Sequence, residues 1–242
     1  SSEVNNASTE KYVGWAWKAG GADVLNEEGT IDSQVSANVD AGFSIVTNKT
    51  SDSEHTVGHG LNAAPELIIS KSLSSTYDWN VWVNGFSDYQ GISLNNSNAR
   101  YTNGGFRTVY STSTTTMGFG LQFLSATNYG ANTDIVNYCF HSVSGYQKVG
   151  SYSGNQSLNT ANQINFGFTP RFVLIKNTTN SGSQWMMFDS VRTNGIALYA
   201  NTADAASDYS TDLLLSSQGL EFKSTNINVN QSGATYIYLA IA

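Results

Sequence analysis

The sequence predicts an all-β protein: two tandem antiparallel β-sandwich repeats, jelly-roll-like, preceded by a strand and a linker. Three observations lead there. No window of ten residues places apolar side chains at the i, i+3, i+4 spacing of a helix. Short apolar runs instead recur at roughly 8–12-residue intervals between Gly, Asn and Ser turns. Finally, one hairpin is written twice, as Pro65–Val83 (PELIISKSLSSTYDWNVWV) and Pro170–Asp189 (PRFVLIKNTTNSGSQWMMFD). Pro65 and Pro170 are 105 positions apart, as are Lys71 and Lys176, and Trp79 and Trp185 are 106 apart. A hairpin repeated at the spacing of a domain points to internal duplication.

Residues 1–40 read as a lead-in strand and linker. Ser1–Glu10 is polar, with no signal-peptide pattern. Tyr12–Trp17 (YVGWAW) is a dense aromatic strand, similar to Ile135–His141 (IVNYCFH) and Tyr236–Ile241 (YIYLAI). It either closes an upstream domain or pairs into the first repeat. Ala22–Asp40 is a polar connector with a turn at Glu28-Gly29 and at most one weak strand. The first repeat, 41–142, opens at Ala41-Gly42-Phe43 and runs through Phe43–Val46, His55–Leu61 and the hairpin. It continues with Ile92–Leu94, strands near Phe106–Tyr110 and Met117–Leu124, and the closing strand Ile135–His141. The second, 143–242, opens at Ser144-Gly145-Tyr146 and keeps the order. Ile196–Tyr199 stands for Ile92–Leu94, Gly219–Phe222 for Gly120–Phe123, and Tyr236–Ile241 closes it.

Alternation along the hairpins puts Trp79, Val81 and Val83 opposite Trp82, and Trp185 and Met187 opposite Met186 and Phe188. Both faces are apolar, so these strands are expected at the centre of the fold, covered on both sides. Trp79 and Trp185 are accordingly expected as core landmarks, with recognition left to the polar loops that differ between the repeats.

Only 12% of the 242 residues are charged, against about 25% in an average soluble protein. Eleven basic and eighteen acidic residues give a net charge of −7, which argues against a nucleic-acid face. The single cysteine, Cys139, allows no disulfide within the chain, and its Tyr138 and Phe140 neighbours suggest a small buried hydrophobe. No apolar run reaches the ~20 residues of a membrane helix.

His55 and His59 flank glycine-rich backbone, and the second repeat has no matching histidines; together with His141 they are not expected to bind metal. Asp204, Asp208 and Asp212 could offer hard oxygen ligands, but their spacing fits no calcium loop, and solvated turn residues are expected. Neither a nucleophile elbow nor a phosphate loop nor a zinc-protease motif occurs, so no catalytic residues and no cofactor are expected. The remaining candidates are aromatics in or beside polar loops: Tyr77, Trp82, Tyr89, Tyr101 and Tyr209, with Tyr110 and Tyr129 beside them. A ring flanked by Asn, Asp and Gln can stack on a sugar while the amides bond its hydroxyls.

The series Ala41-Gly-Phe-Ser-Ile-Val46, Val57-Gly-His-Gly-Leu61, Pro65-Glu-Leu-Ile-Ile-Ser-Lys71, Tyr138-Cys-Phe-His-Ser-Val143 and Gly145-Tyr-Gln-Lys-Val-Gly-Ser-Tyr152 resembles the duplicated β domain of virion proteins of tailed phages, especially cyanophages. In that group the domain often follows a laminin-G or concanavalin-like sandwich whose last strand is similar to YVGWAWKAGG. The resemblance spans Tyr12 onward and departs at Ala16, where many relatives carry cysteine. It implies a non-enzymatic virion protein, a tail-fibre or appendage module for host-surface glycan recognition, homo-oligomeric (a trimer if a fibre) and in contact with other virion proteins. It brings no catalytic residues. Capsid decoration and a free carbohydrate-binding protein remain the alternatives.

Overall fold

Strands that are apolar on both faces need cover on both faces, and the chain supplies it by stacking four sheets. The computed structural model describes residues 12–87, 90–101, 109–120, 131–155, 157–158 and 163–242. In the first half these form β1 (Val24–Asn26), β2 (Ser33–Asn38), β3 (Phe43–Lys49), β4 (His55–Gly58), β5 (Leu67–Ser72), β6 (Asn80–Val83), β7 (Ile92–Ser93), β8 (Val109–Thr112), β9 (Thr116–Phe119) and β10 (Asp134–Phe140). In the second they form β11 (Gln147–Ser153), β12 (Ile164–Asn165), β13 (Phe172–Asn177), β14 (Trp185–Asp189), β15 (Ile196–Tyr199), β16 (Ser207–Asp208), β17 (Leu213–Leu215), β18 (Gly219–Phe222) and β19 (Thr235–Ile241).

Each half is an antiparallel sandwich of a large and a small sheet. The large sheets run β1-β2-β3-β10-β5-β6-β7 and β11-β19-β13-β14-β15-β16, and the small ones β4-β9-β8 and β12-β18-β17. Removing β1, β2 and β16 leaves the same order in both halves. First strand pairs with last (β3 with β10, β11 with β19) and second with next-to-last (β4 with β9, β12 with β18), the nested wrapping of a jelly roll.

Side-chain parity sorts the cores. Ile68, Trp82, Ile135 and Cys139 face Val57, Met117 and Phe119 of the small sheet, closing the first sandwich. Val173, Phe188, Tyr236 and Tyr238 face Leu213, Leu220 and Phe222, closing the second. The opposite faces of the two large sheets meet each other: Leu67, Val81, Val83, Ile92 and Phe140 pack with Phe172, Leu174, Trp185, Leu239 and Ile241. The layers therefore run small, large, large, small, and the seam between the large sheets is apolar from both sides. The chain crosses between halves at a fixed joint. Gln147 Nε2 donates to the carbonyls of Gly42 (3.1 Å) and His141 (2.8 Å), and the Glu66 carboxylate takes the backbone N–H of Ser142 (2.6 Å). Gly42 has φ +64°, and a Cβ there would lie 2.6 Å from the His141 carbonyl oxygen, which explains glycine in the Ala-Gly-Phe opening.

Three expectations change. The connector 22–40 carries two strands, β1 and β2, because alternation at Ser33 and Val35 buries one face of β2 and extends the first large sheet. Tyr12–Trp17 is not a strand and joins no sheet. The counterpart of Gly219–Phe222 is Thr116–Phe119, not Gly120–Phe123. Both pair centrally in their small sheets, and Ser113 and Ser216 N–H groups bond Thr116 and Gly219 carbonyls alike. Residues 102–108 and 121–130, where strands near Phe106 and through Leu124 were expected, lie outside the described residues.

His59 shows how tightly the first small sheet is locked. Its Nδ1 accepts the Leu61 N–H (3.1 Å), so its Nε2 carries the proton donated to the Ser113 carbonyl (3.1 Å). Burial holds its pKa below the usual 6.5, and burial lowers that of His55 too. The unfolded chain therefore takes up more protons than the fold below about pH 6.5, and stability is lost as pH falls through that range. Thermal unfolding between pH 7 and 5 should show a falling midpoint in the wild type and a shallower fall in His59→Gln.

Candidate functional site

The two hairpins meet across the seam with equivalent backbone anchors. The Trp79 N–H bonds Asn95 Oδ1 (2.9 Å) and the Trp185 N–H bonds Asn201 Oδ1 (2.8 Å). Their carbonyls accept from Leu94 (2.8 Å) and Ala200 (3.1 Å). From these matched positions the two indoles go different ways.

Trp185 is 1% exposed, and its Nε1–H donates to the Ser93 carbonyl of the other half (2.8 Å). Above it the first half's loop 95–101 lies on the turn between β13 and β14. Arg100 N–H bonds the Thr178 carbonyl (2.9 Å), Gly182 N–H the Ser97 carbonyl (2.9 Å) and Ala99 N–H the Ser181 hydroxyl (3.0 Å). Lys176 closes this corner from beneath. Fully buried, its Nζ donates to the carbonyls of Ser183 (2.6 Å) and Ser97 (3.3 Å), and burial pulls its pKa down to about 8. Among the described residues its counterpart Lys71 bonds only its own turn, at the carbonyls of Ser75 (3.2 Å) and Tyr77.

Trp79 stays half-buried. It stacks on Tyr138 (centroids 6.4 Å, planes 18°), and its Nε1–H has no hydrogen-bond partner among the described residues. No hydrogen bond among the described residues ties the loop after β15 to the turn between β5 and β6. Between the sheets on this side lies an apolar cleft of about 330 Å³, lined by Ile45, Ile69, Trp79, Tyr138, Met187 and Ala200 among others. Asp78, the residue before Trp79, accepts from Ser93 Oγ (3.0 Å) and Asn95 Nδ2 (2.8 Å) through its carboxylate. The far end is covered by the segment 12–19. From Gly14 onward exposure alternates residue by residue, and Trp15, Trp17 and Ala19 pack against the seam. Trp15 and Trp17 pack on Phe172 (5.4 and 5.6 Å), and Trp17 also packs edge-on against Phe140 (6.4 Å).

The residues expected from the sequence do not gather. Trp82 is 4% exposed in the first sandwich's core and offers no ring face to a ligand, because its strand is covered from both sides. Tyr77 packs against that same core from the hairpin turn. Tyr101 is half-buried, its hydroxyl accepting from Asn98 Nδ2 (2.9 Å). Tyr209 lies on the other side of the second large sheet, against the second core, its hydroxyl held by Tyr199 (3.3 Å) and Asn228 (3.1 Å), and burial raises its pKa to about 12. Tyr89, Tyr129 and the Tyr110 side chain lie outside the described residues. Asp204 and Asp208 are exposed, Asp212 bonds Ser224, and among the described residues no group of three or more His, Cys, Asp or Glu converges. Cys139 is buried, its thiol pushed up to about 12 by burial. Loop 95–101 does not match the second repeat in sequence, and it serves the seam through its bonds to Thr178, Ser181 and Gly182.

Sequence reasoning missed Trp15, Trp17, Tyr138 and Ala200, and misplaced Trp79. Strand pairing sets Ile92–Leu94 against Leu198–Ala200 and not against Ile196–Tyr199, so the loss of side-chain volume from Leu94 to Ala200 shows only in the structure.

Two jelly-roll-like sandwiches of identical strand order, joined face to face, define a duplicated β-sandwich protein. The chain belongs to the family described as Domain of unknown function (DUF7483), whose model matches residues 1–242. No curated protein and no solved structure matches it.

Proposed function

We propose that the chain is a non-enzymatic module of a phage particle's surface, a segment of a tail fibre or similar appendage that helps contact a host-surface glycan. The observation that carries this reading is the apolar seam itself. It fuses two sandwiches through their large sheets and fixes the Gln147 joint, so that loops at both ends are held at constant separation and angle. A rigid spacer that presents loops needs such a joint, whereas two domains on a flexible linker would not hold one. The order of motifs from Ala41 to Tyr152, similar to that of tailed-phage virion domains, supports the same assignment. Uncharged amide and hydroxyl surfaces suit sugar hydroxyls, with Tyr77 and Tyr101 the remaining ring candidates among the described residues.

Gold-labelled antibody against the chain, applied to intact particles, tests this. Label at tail appendages is expected. Label spread over the capsid would make it a decoration protein. Absence from particles together with glycan-array binding would make it a free carbohydrate-binding protein. Release of products from host polysaccharide would make it an enzyme and overturn the proposal.

A further inference from the structure

We infer that the open half of the seam is a binding site for one flat apolar aromatic ring system of about indole size. The inference is independent of the particle-surface proposal and rests on the broken equivalence of the two hairpins. In the sealed half an indole of the chain itself, Trp185, sits between the large sheets with its N–H on Ser93. In the open half the equivalent indole, Trp79, turns to stack on Tyr138 and leaves the corresponding space unfilled. Ala200, in the place of Leu94, enlarges it further. The cleft is continuous with the core that joins the halves, so its occupant completes an interface the chain has already built.

Size and chemistry select that occupant. An apolar cavity of about 150 Å³ stays dry and holds benzene. At about 330 Å³ this one has room for a fused bicycle. Ile45, Ile69, Met187 and Ala200 offer no polar atom inside, so a sugar or a charged group would lose its water without compensation. Trp79 and Tyr138 provide ring faces for offset or edge packing. Of the lining residues, Trp79 carries an N–H and Tyr138 a hydroxyl, neither hydrogen-bonded among the described residues, and these suit one heteroatom on the ring.

Titration of the full chain with indole, followed through the indole N–H and methionine methyl resonances, tests the site. Saturable shifts at Trp79 and Met187, with Trp185 unmoved, are expected. Ala200→Leu, which copies the residue of the first repeat, should weaken indole by at least about ten-fold while the thermal midpoint is kept. No saturable shift up to the solubility limit of indole would overturn the site. Unchanged affinity in Ala200→Leu would place the indole elsewhere and overturn it equally. Tighter saturable binding of decane than of indole at the same resonances would overturn the aromatic assignment in favour of an alkyl chain.

Discussion

Trp185→Ala should lower unfolding stability by about 3–5 kcal/mol, among the largest effects available in this chain. The indole is 1% exposed at the centre of the seam, where it touches both large sheets. Truncation removes on the order of 150–250 Å² of buried aromatic surface and leaves a cavity that two facing sheets cannot readily collapse. It also strips the Ser93 carbonyl of the donor it receives from the other half. The matched substitution Trp79→Ala is the control. That ring is half-exposed beside an existing cleft, so its loss should cost roughly 1–2 kcal/mol. Chemical denaturation of both variants measures the difference. Equal losses would mean that the hairpins are equivalent in energy as well as in sequence.

The second large effect belongs to Lys176 and appears as a dependence on pH. The folded chain holds the ammonium between backbone carbonyls, with no carboxylate of the described residues in contact, and its pKa is about 8 against 10.5 for a free lysine. Between those values the unfolded chain binds the extra proton, so stability rises with pH across the window and is lowest below pH 8. A displacement of that size corresponds to about 3 kcal/mol over the whole window. Tyrosines titrate nearby in pH, so the quantity to follow is the stability of the wild type minus that of Lys176→Met. This difference should move in favour of the wild type as pH goes from 7.5 to 10. A flat difference would show that the buried amine keeps an ordinary pKa and that the corner is wetter than the geometry implies.

Much of the architecture was legible in the residues, for a reason the seam makes plain. Two-sided burial forces apolar side chains onto both faces of a strand, and this is visible at Ile68 and Ile69, at Val81 and Trp82, and at Trp185 and Met186. The duplicated hairpin fixed the equivalences because its proline, lysine and tryptophan are rare landmarks. What failed depended on partners distant in sequence. Trp82 reads as a loop-flanking aromatic, and only the small sheet packed over it makes it core. Gly219 and Gly120 look alike locally, while pairing in the small sheets matches Gly219 to Thr116 instead. Trp15 and Trp17 form a strand-like string, yet the segment pairs with no strand among the described residues, and its rings pack on Phe140 and Phe172. Trp79 and Trp185 sit in nearly identical strings. They diverge where loop 95–101 bonds the turn between β13 and β14, an arrangement with no counterpart among the described residues at the turn between β5 and β6.

That asymmetry is the centre of the account, and hydrogen exchange at the indole nitrogens tests it most directly. With the tryptophan side chains labelled with nitrogen-15, the Trp185 N–H should be protected by orders of magnitude, because it opens only when the seam does. The Trp79 N–H should exchange close to the rate of a solvent-exposed indole. Comparable protection at both nitrogens, or fast exchange at Trp185, would contradict a seam sealed on one side and open on the other.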